Sequence, residues 1–316
     1  MPFDVAVSTE NGHSDITLKD AANSSSVQVY SFGALLNQFI APLGDGFINV
    51  IDGFNSTTDA IENLTPFFKS AKLSPFPCRV KDGKYRFGQN EFQLNKYTSH
   101  GQALHGLIFD KPFTIDKVIE TDEEATVVLE YVYDNALEGF PFRYKCRVAY
   151  SLTASNTLTV TTTITNMDNQ LLPVADGWHP YFTLGDSIND YLVEFQSKEM
   201  LEFDEALIPT GKLKAYEEFG SLKTFGTTFF DNCFTLNFAE CQPMCVIRNP
   251  AKKVQVEFYP DKSYPFIQFY TPPLRNSIAV ENLSAAPDAF NNGMGLRILQ
   301  PAESAIFTVQ YVIRSL

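Results

Sequence analysis

Hydrophobic and polar residues alternate one by one through much of this chain. In "NTLTVTTTITN", Leu158, Val160 and Ile164 take turns with threonines, the period-two pattern of a strand with one face on a core. "KKVQVEFYP" repeats it with Val254, Val256 and Phe258, and "IFTVQYVI" does so near the C-terminus. "ATVVLEYVYDN" and "FRYKCRVAYSL" add runs of Val, Tyr and Phe, residue types that suit a pleated, half-buried surface. Turn-forming clusters separate these runs: "DGK" at Asp82, "DNALEG" from Asp134, "TASN" from Thr153, "RNPAKK" from Arg248 and "SAAPD" from Ser284. Short strands punctuated in this way predict hairpins and a mostly antiparallel sheet system. Helical periodicity is weak. Only "GFNSTTDAIENL" predicts a short surface helix, starting near Ser56 or Thr57. The expected fold is all-β, a large antiparallel β-sandwich with few short helices.

Composition sharpens this picture. The 316 residues are 44% hydrophobic and 14% aromatic, ample material for a large core. No Pro/Gly/Ser-rich linker, charge block or internal repeat divides them, so a single domain over residues 1–316 is expected. The net charge is −13, from 24 basic and 37 acidic residues. Nucleic acid and anionic membranes are excluded as partners, because both require Lys and Arg to replace their counterions. The five cysteines are an odd number, which argues against a disulfide framework. In "CQPMC", Cys241 and Cys245 have no second pair to complete a zinc site, so buried reduced thiols are expected. The start "MPFDVAVSTENG" has neither a basic cluster nor an apolar run, and no stretch is long enough to span a membrane. A cytoplasmic location is the expectation.

Histidine is scarce, so each of the four is informative. His13 lies in a polar segment and carries no assigned role. His100, in "KYTSHGQ", reads as a solvated loop residue or a minor pocket neighbour. His105 lies in "ALHGLIF", before a glycine that permits close backbone approach. His179 lies in "DGWHPYFTL", before a proline that restrains the local backbone. Either histidine on an apolar run could equally be a satisfied core residue. Among the acids, Glu281 stands out in "NSIAVENLSAAPDAFN", at the end of an apolar run before a turn-rich loop. A carboxylate there is either exposed at a strand end or held at a pocket mouth, where burial would raise its pKa toward neutrality. No G-x-S-x-G elbow, phosphate loop, G-x-G-x-x-G fingerprint or H-x-x-x-H pair occurs, so no nucleotide cofactor or metal is expected. Aromatic faces beside a possible His/His/Glu group suit a sugar, whose C–H faces stack while its hydroxyls need partners.

Several segments, in order, resemble the aldose 1-epimerase (galactose mutarotase-like) family. They are "FPCRVKDGKYRF", "QALHGLIFDKPF", "GWHPYFTL", "FFDNCFTL", "FIQFYTPP", "IAVENLSAAPDAFNN" and "LQPAESAIFTVQYVI". They run from about residue 75 to the end, and the His-Pro-Tyr-Phe motif is the most specific of them. The resemblance implies a galactose mutarotase-like supersandwich that interconverts the anomers of a free aldohexose such as galactose or glucose. It makes Glu281 the general base on the C1 hydroxyl and His179 the general acid on the ring oxygen. It places His105 near the ring and C1 oxygens, and Arg79 and Asp231 on sugar hydroxyls. No cofactor is implied, the partner is a monosaccharide, and monomer and homodimer both stay open. Strand alternation points Trp178 away from the face of His179, toward core packing, and Tyr181 and Phe182 are expected in the core. The sequence departs from the family at Cys78, where asparagine is usual, at the single glycine of "LHGL", at Thr183 and after Glu281. These changes leave the proton-transfer residues in place and the identity of the sugar open. Two alternatives are a hexose-6-phosphate 1-epimerase, which would need more basic residues than Arg79 and Arg86, and a non-catalytic sugar-binding module.

Overall fold

Alternation becomes register in the computed structural model, which describes residues 2–96, 98–134, 139–240 and 242–316. The threonine-rich run forms the strand Thr157–Asn166, with Leu158, Val160 and Ile164 buried and the odd-numbered threonines on the half-exposed face. Its neighbours are Tyr144–Thr153 across the "TASN" turn and Ser304–Ser315 from the C-terminus. Together with Glu124–Tyr133, Val254–Pro260 and others they build a nine-stranded sheet. The "RNPAKK" turn joins Cys245–Asn249 to Val254–Pro260 as expected, whereas residues 135–138 of "DNALEG" lie outside the described residues.

An eight-stranded sheet packs against it. Its central path runs Glu199–Phe203, Asp231–Thr235, Phe266–Tyr270, Ile278–Leu283, Gly177–Trp178 and Lys72–Leu73. Aromatic contacts between the inner faces join the two layers: Phe182 on Phe258, Phe195 on Phe269 and Tyr150 on Trp178. A five-stranded meander, Phe3–Glu10 to Gly46–Asn49, covers one end of the nine-stranded sheet. One contiguous core extends from Phe3 to Ile313. Every strand pairing among the described residues is antiparallel, and the fold is the expected antiparallel β-sandwich.

The expected surface helix is Thr57–Asn63, with the Ser56 hydroxyl accepting from the Asp59 N–H as its cap. A second, one-turn helix, Ala289–Asn292, follows the "SAAPD" turn and has too little periodicity to be read from sequence. Among the described residues, no helix is long and apolar enough to cross a membrane. Cys78, Cys146, Cys233 and Cys245 are free and buried; Cys241, the first cysteine of "CQPMC", lies outside the described residues.

The outer face of the eight-stranded sheet positions the chemistry. In Ile278–Leu283, Ile278 and Val280 join the main core, while Glu281 and Leu283 point the opposite way. Register then sets Gln268 beside both Glu281 and Cys233, and Tyr270 beside Asp231. A period of two, repeated on three adjacent strands, thus gathers the polar residues of separate segments on one surface.

Candidate active site

Glu281 is not at a strand end. The strand continues to Leu283, and Glu281 is its fourth residue, only 2% exposed and at the base of a cavity. Asn282 and Ser284 resemble a turn in the sequence, which makes the strand look shorter than it is. Both pair within the sheet system instead, through Asn282 opposite Ile267 and the Ser284 N–H donating to the Asp176 carbonyl at 2.8 Å.

His179 directly follows the neighbouring strand, Gly177–Trp178. His179 and Tyr181 share the cavity face, and Trp178 and Phe182 turn into the core, as alternation requires. His179 Nε2 lies 3.4 Å from Glu281 Oε1. The imidazole stacks on Tyr181 with ring centroids 5.2 Å apart and meets the edge of His105 at 5.0 Å. Tyr181 is buried, as expected, and also forms part of the cavity wall: the two-residue strand Tyr181–Phe182 pairs through Tyr181 with Ala279, on the face of Glu281. Phe182 is in the core as expected.

His105 reaches the site on a strained turn. Its own φ is +60° and that of Gly106 is +79°. A side chain at Gly106 would meet the Ser74 carbonyl oxygen at 2.4 Å, so only glycine fits this approach. The His105 N–H donates to the Cys78 carbonyl at 2.8 Å, which sets the histidine beside the cavity wall formed by Cys78 and Arg79. Arg79 lies 3.9 Å from Asp231, and Gln268 Nε2 donates to the other Asp231 oxygen at 3.0 Å.

All five residues singled out in the sequence, Arg79, His105, His179, Asp231 and Glu281, line the same cavity of about 370 Å³. His100 is exposed and also lines the cavity, so both roles open to it apply. Gln268 and Tyr270 also line it and were missed. A lone glutamine within the apolar run "FIQFY" was the available clue. The cavity's apolar wall draws on Phe67 and Leu207 from loops and Phe203 from the end of a strand, a convergence no local pattern encodes.

Burial dominates the electrostatics. It pushes Glu281 well above the ordinary carboxylate range; the Asp231 charge adds to this and Arg79 opposes it. It pushes His179 down to about 4, and it lowers His105, with the neighbouring His179 and Arg79 acting in the same direction. His179 Nδ1, His105 Nδ1, Gln268 Oε1 and Glu281 Oε2 have no hydrogen-bond partner. An acid and a base in contact, with unpaired polar atoms around them and one cation, can bind a polyhydroxylated molecule and exchange protons with it. Among the described residues, no three His, Cys, Asp or Glu side chains converge to hold a metal ion.

Comparison with known proteins points the same way. The family model described as aldose 1-epimerase matches residues 14–312. The uncharacterized protein YihR of Escherichia coli K12 is 30% identical over 236 residues, covering 72% of this chain and 73% of its own. A galactose mutarotase-like protein of Clostridium acetobutylicum superposes with a TM-score of 0.87 at 15% identity, over 100% of this chain and 99% of that one. Galactose 1-epimerase of Lactobacillus acidophilus NCFM gives 0.84 at 19% identity, over 99% and 98%. At such identities the two structures establish the shared fold.

Proposed function

The chain belongs to the aldose 1-epimerase family, and from that premise we propose that it interconverts the α and β anomers of a free aldohexose such as galactose or glucose. The observation that carries this reading is the 3.4 Å approach of His179 Nε2 to Glu281 Oε1 at the base of a polar cavity. Glu281 takes the proton from the C1 hydroxyl while His179 delivers one to the ring oxygen, and the C1–O5 bond breaks. The open aldehyde rotates about C1–C2. The ring oxygen then attacks the other face of C1, its proton returns to His179, and Glu281 returns a proton to the C1 oxygen. His105 donates toward the C1 and ring oxygens, and Arg79 with Asp231 holds the hydroxyls.

The pair enters this cycle as imidazolium and carboxylate and reaches the open sugar as imidazole and carboxylic acid. Burial disfavours the charged partners, so it favours the proton transfers of ring opening and opposes those of ring closure. Each positioned transfer typically contributes ~10²–10⁴-fold.

A phosphorylated hexose is the weaker reading. Arg79 is the one Lys or Arg among the described residues that line the cavity. Arg86 instead pairs with Glu91 on the exposed hairpin Lys84–Phe87 and Asn90–Gln93. A binding module without chemistry has no need of a matched acid and base in contact.

Polarimetry of freshly dissolved α-D-glucose and α-D-galactose tests the proposal. The protein should speed the approach to equilibrium rotation, and Glu281→Gln should reduce kcat by about 10²-fold or more. No acceleration of either sugar, with acceleration of glucose 6-phosphate instead, would replace this reading by the phosphosugar one.

A further inference from the structure

Behind His179, on the core side of the sheet, lies an ion pair with no solvent exposure at all. Lys72 and Asp176 are both 0% exposed, with Nζ 2.5 Å from Asp176 Oδ2. The same ammonium donates to the Gly177 carbonyl at 3.2 Å and sits 4.3 Å from the centre of the Trp178 ring. One side chain therefore grips the three residues immediately before His179. The Tyr264 hydroxyl adds a 2.7 Å hydrogen bond to the same Asp176 oxygen. The backbone repeats the grip: the His179 N–H donates to the Ala71 carbonyl at 3.1 Å, and the Ser70 N–H donates to the His179 carbonyl at 2.9 Å.

Such support matters to His179 because few polar contacts orient its ring beyond the approach of Nε2 to Glu281. Nδ1 has no partner, and apart from Glu281 the ring meets the faces and edges of Tyr181 and His105. Its direction therefore depends on where the backbone puts it. A buried ion pair is itself a weak source of stability, since apolar residues of similar volume often do as well or better. Burial pushes Lys72 down and Asp176 up, and their mutual attraction opposes both.

We propose that Lys72 is a positioning residue for His179: by binding Asp176, the Gly177 carbonyl and Trp178 it holds the 176–179 segment rigid and sets the distance from His179 Nε2 to Glu281 Oε1. The inference rests on the reading of these two side chains as the proton-transfer pair. It makes Lys72 act through the backbone, without touching the sugar.

The test is the variant K72M/D176L/Y264F, which replaces both charges and the tyrosine hydroxyl by apolar side chains. Three quantities are measured: the melting temperature, kcat and KM by polarimetry, and the imidazole signals of His179 by NMR across a pH series. The expected result is a folded protein with KM near that of the wild type, kcat lower by about 10- to 100-fold, and displaced His179 signals. A folded variant with kcat and His179 signals equal to those of the wild type would reduce the pair to a structural role. Should the triple variant not fold, Asp176→Asn, which keeps the side chain's shape, is measured in the same way, and the same two outcomes support or overturn the proposal. If the wild-type protein shows no mutarotation, the proton-transfer reading fails by itself, and the NMR series still reports whether Lys72 sets the placement of His179.

Discussion

The His179–Glu281 contact makes a specific demand on pH. A competent pair holds one proton between two sites, so its limbs are properties of the pair. The acidic limb is reached when both sites are protonated and the base is lost. Burial resists the second proton, and His179 is pushed down to about 4 from 6.5. The basic limb is reached when both are deprotonated, and the raised Glu281 moves it upward. Arg79, Asp231, His105, Tyr181 and Cys78 face the pair around the cavity, and Cys233 lies beside it across Gln268. The net expectation is a broad plateau of kcat/KM through neutrality, with an acidic half-point below 6.5. A profile whose acidic limb is centred at or above that value would show that His179 is not buried in the working enzyme.

At the scale of elements, the site depends on turns as much as on strands. Glu281, Gln268 and Asp231 are delivered by ladder register, which core-facing Ile278, Val280 and Phe269 reinforce from the other side. His105 is delivered by one turn with two consecutive positive φ values. Gly106→Ala would place a methyl group 2.4 Å from the Ser74 oxygen at a φ of +79°, where alanine is strained whatever the space. The expected cost exceeds about 1 kcal/mol, read as a lower urea midpoint at unchanged m-value. A fall in kcat/KM should accompany it as His105 shifts. An unchanged midpoint would mean that the turn can relax, and that the glycine is not what admits the histidine.

For the whole molecule, the two large sheets and the N-terminal meander share one contiguous core from Phe3 to Ile313. The Tyr150 hydroxyl of the nine-stranded sheet donates to the Ala34 carbonyl of the meander at 2.6 Å, so the joint is polar as well as apolar. A single cooperative domain is therefore expected. Calorimetric and van't Hoff enthalpies should agree in one thermal transition. Separate melting of the meander, residues 3–49, would divide the chain into two units.

The sequence by itself determined the class of fold and the chemistry available to it. Period-two alternation in segments such as Thr157–Asn166 and Val254–Pro260 is a local consequence of which side chains can face a core, so it can be read without coordinates. The same rule sent Trp178 inward and His179 to the opposite face. The motif resemblance supplied Arg79, His105, His179, Asp231 and Glu281 as a group, and all five line one cavity. Tertiary structure decided the rest, because pairing between distant strands has no local signature. Register put Gln268 beside Glu281, Tyr181 on the cavity face, and Glu281 in the middle of its strand. It also brought Lys72 beneath Asp176, 104 residues away in sequence. Alternation says only that a residue faces one side or the other; what it meets there depends on which strands come together.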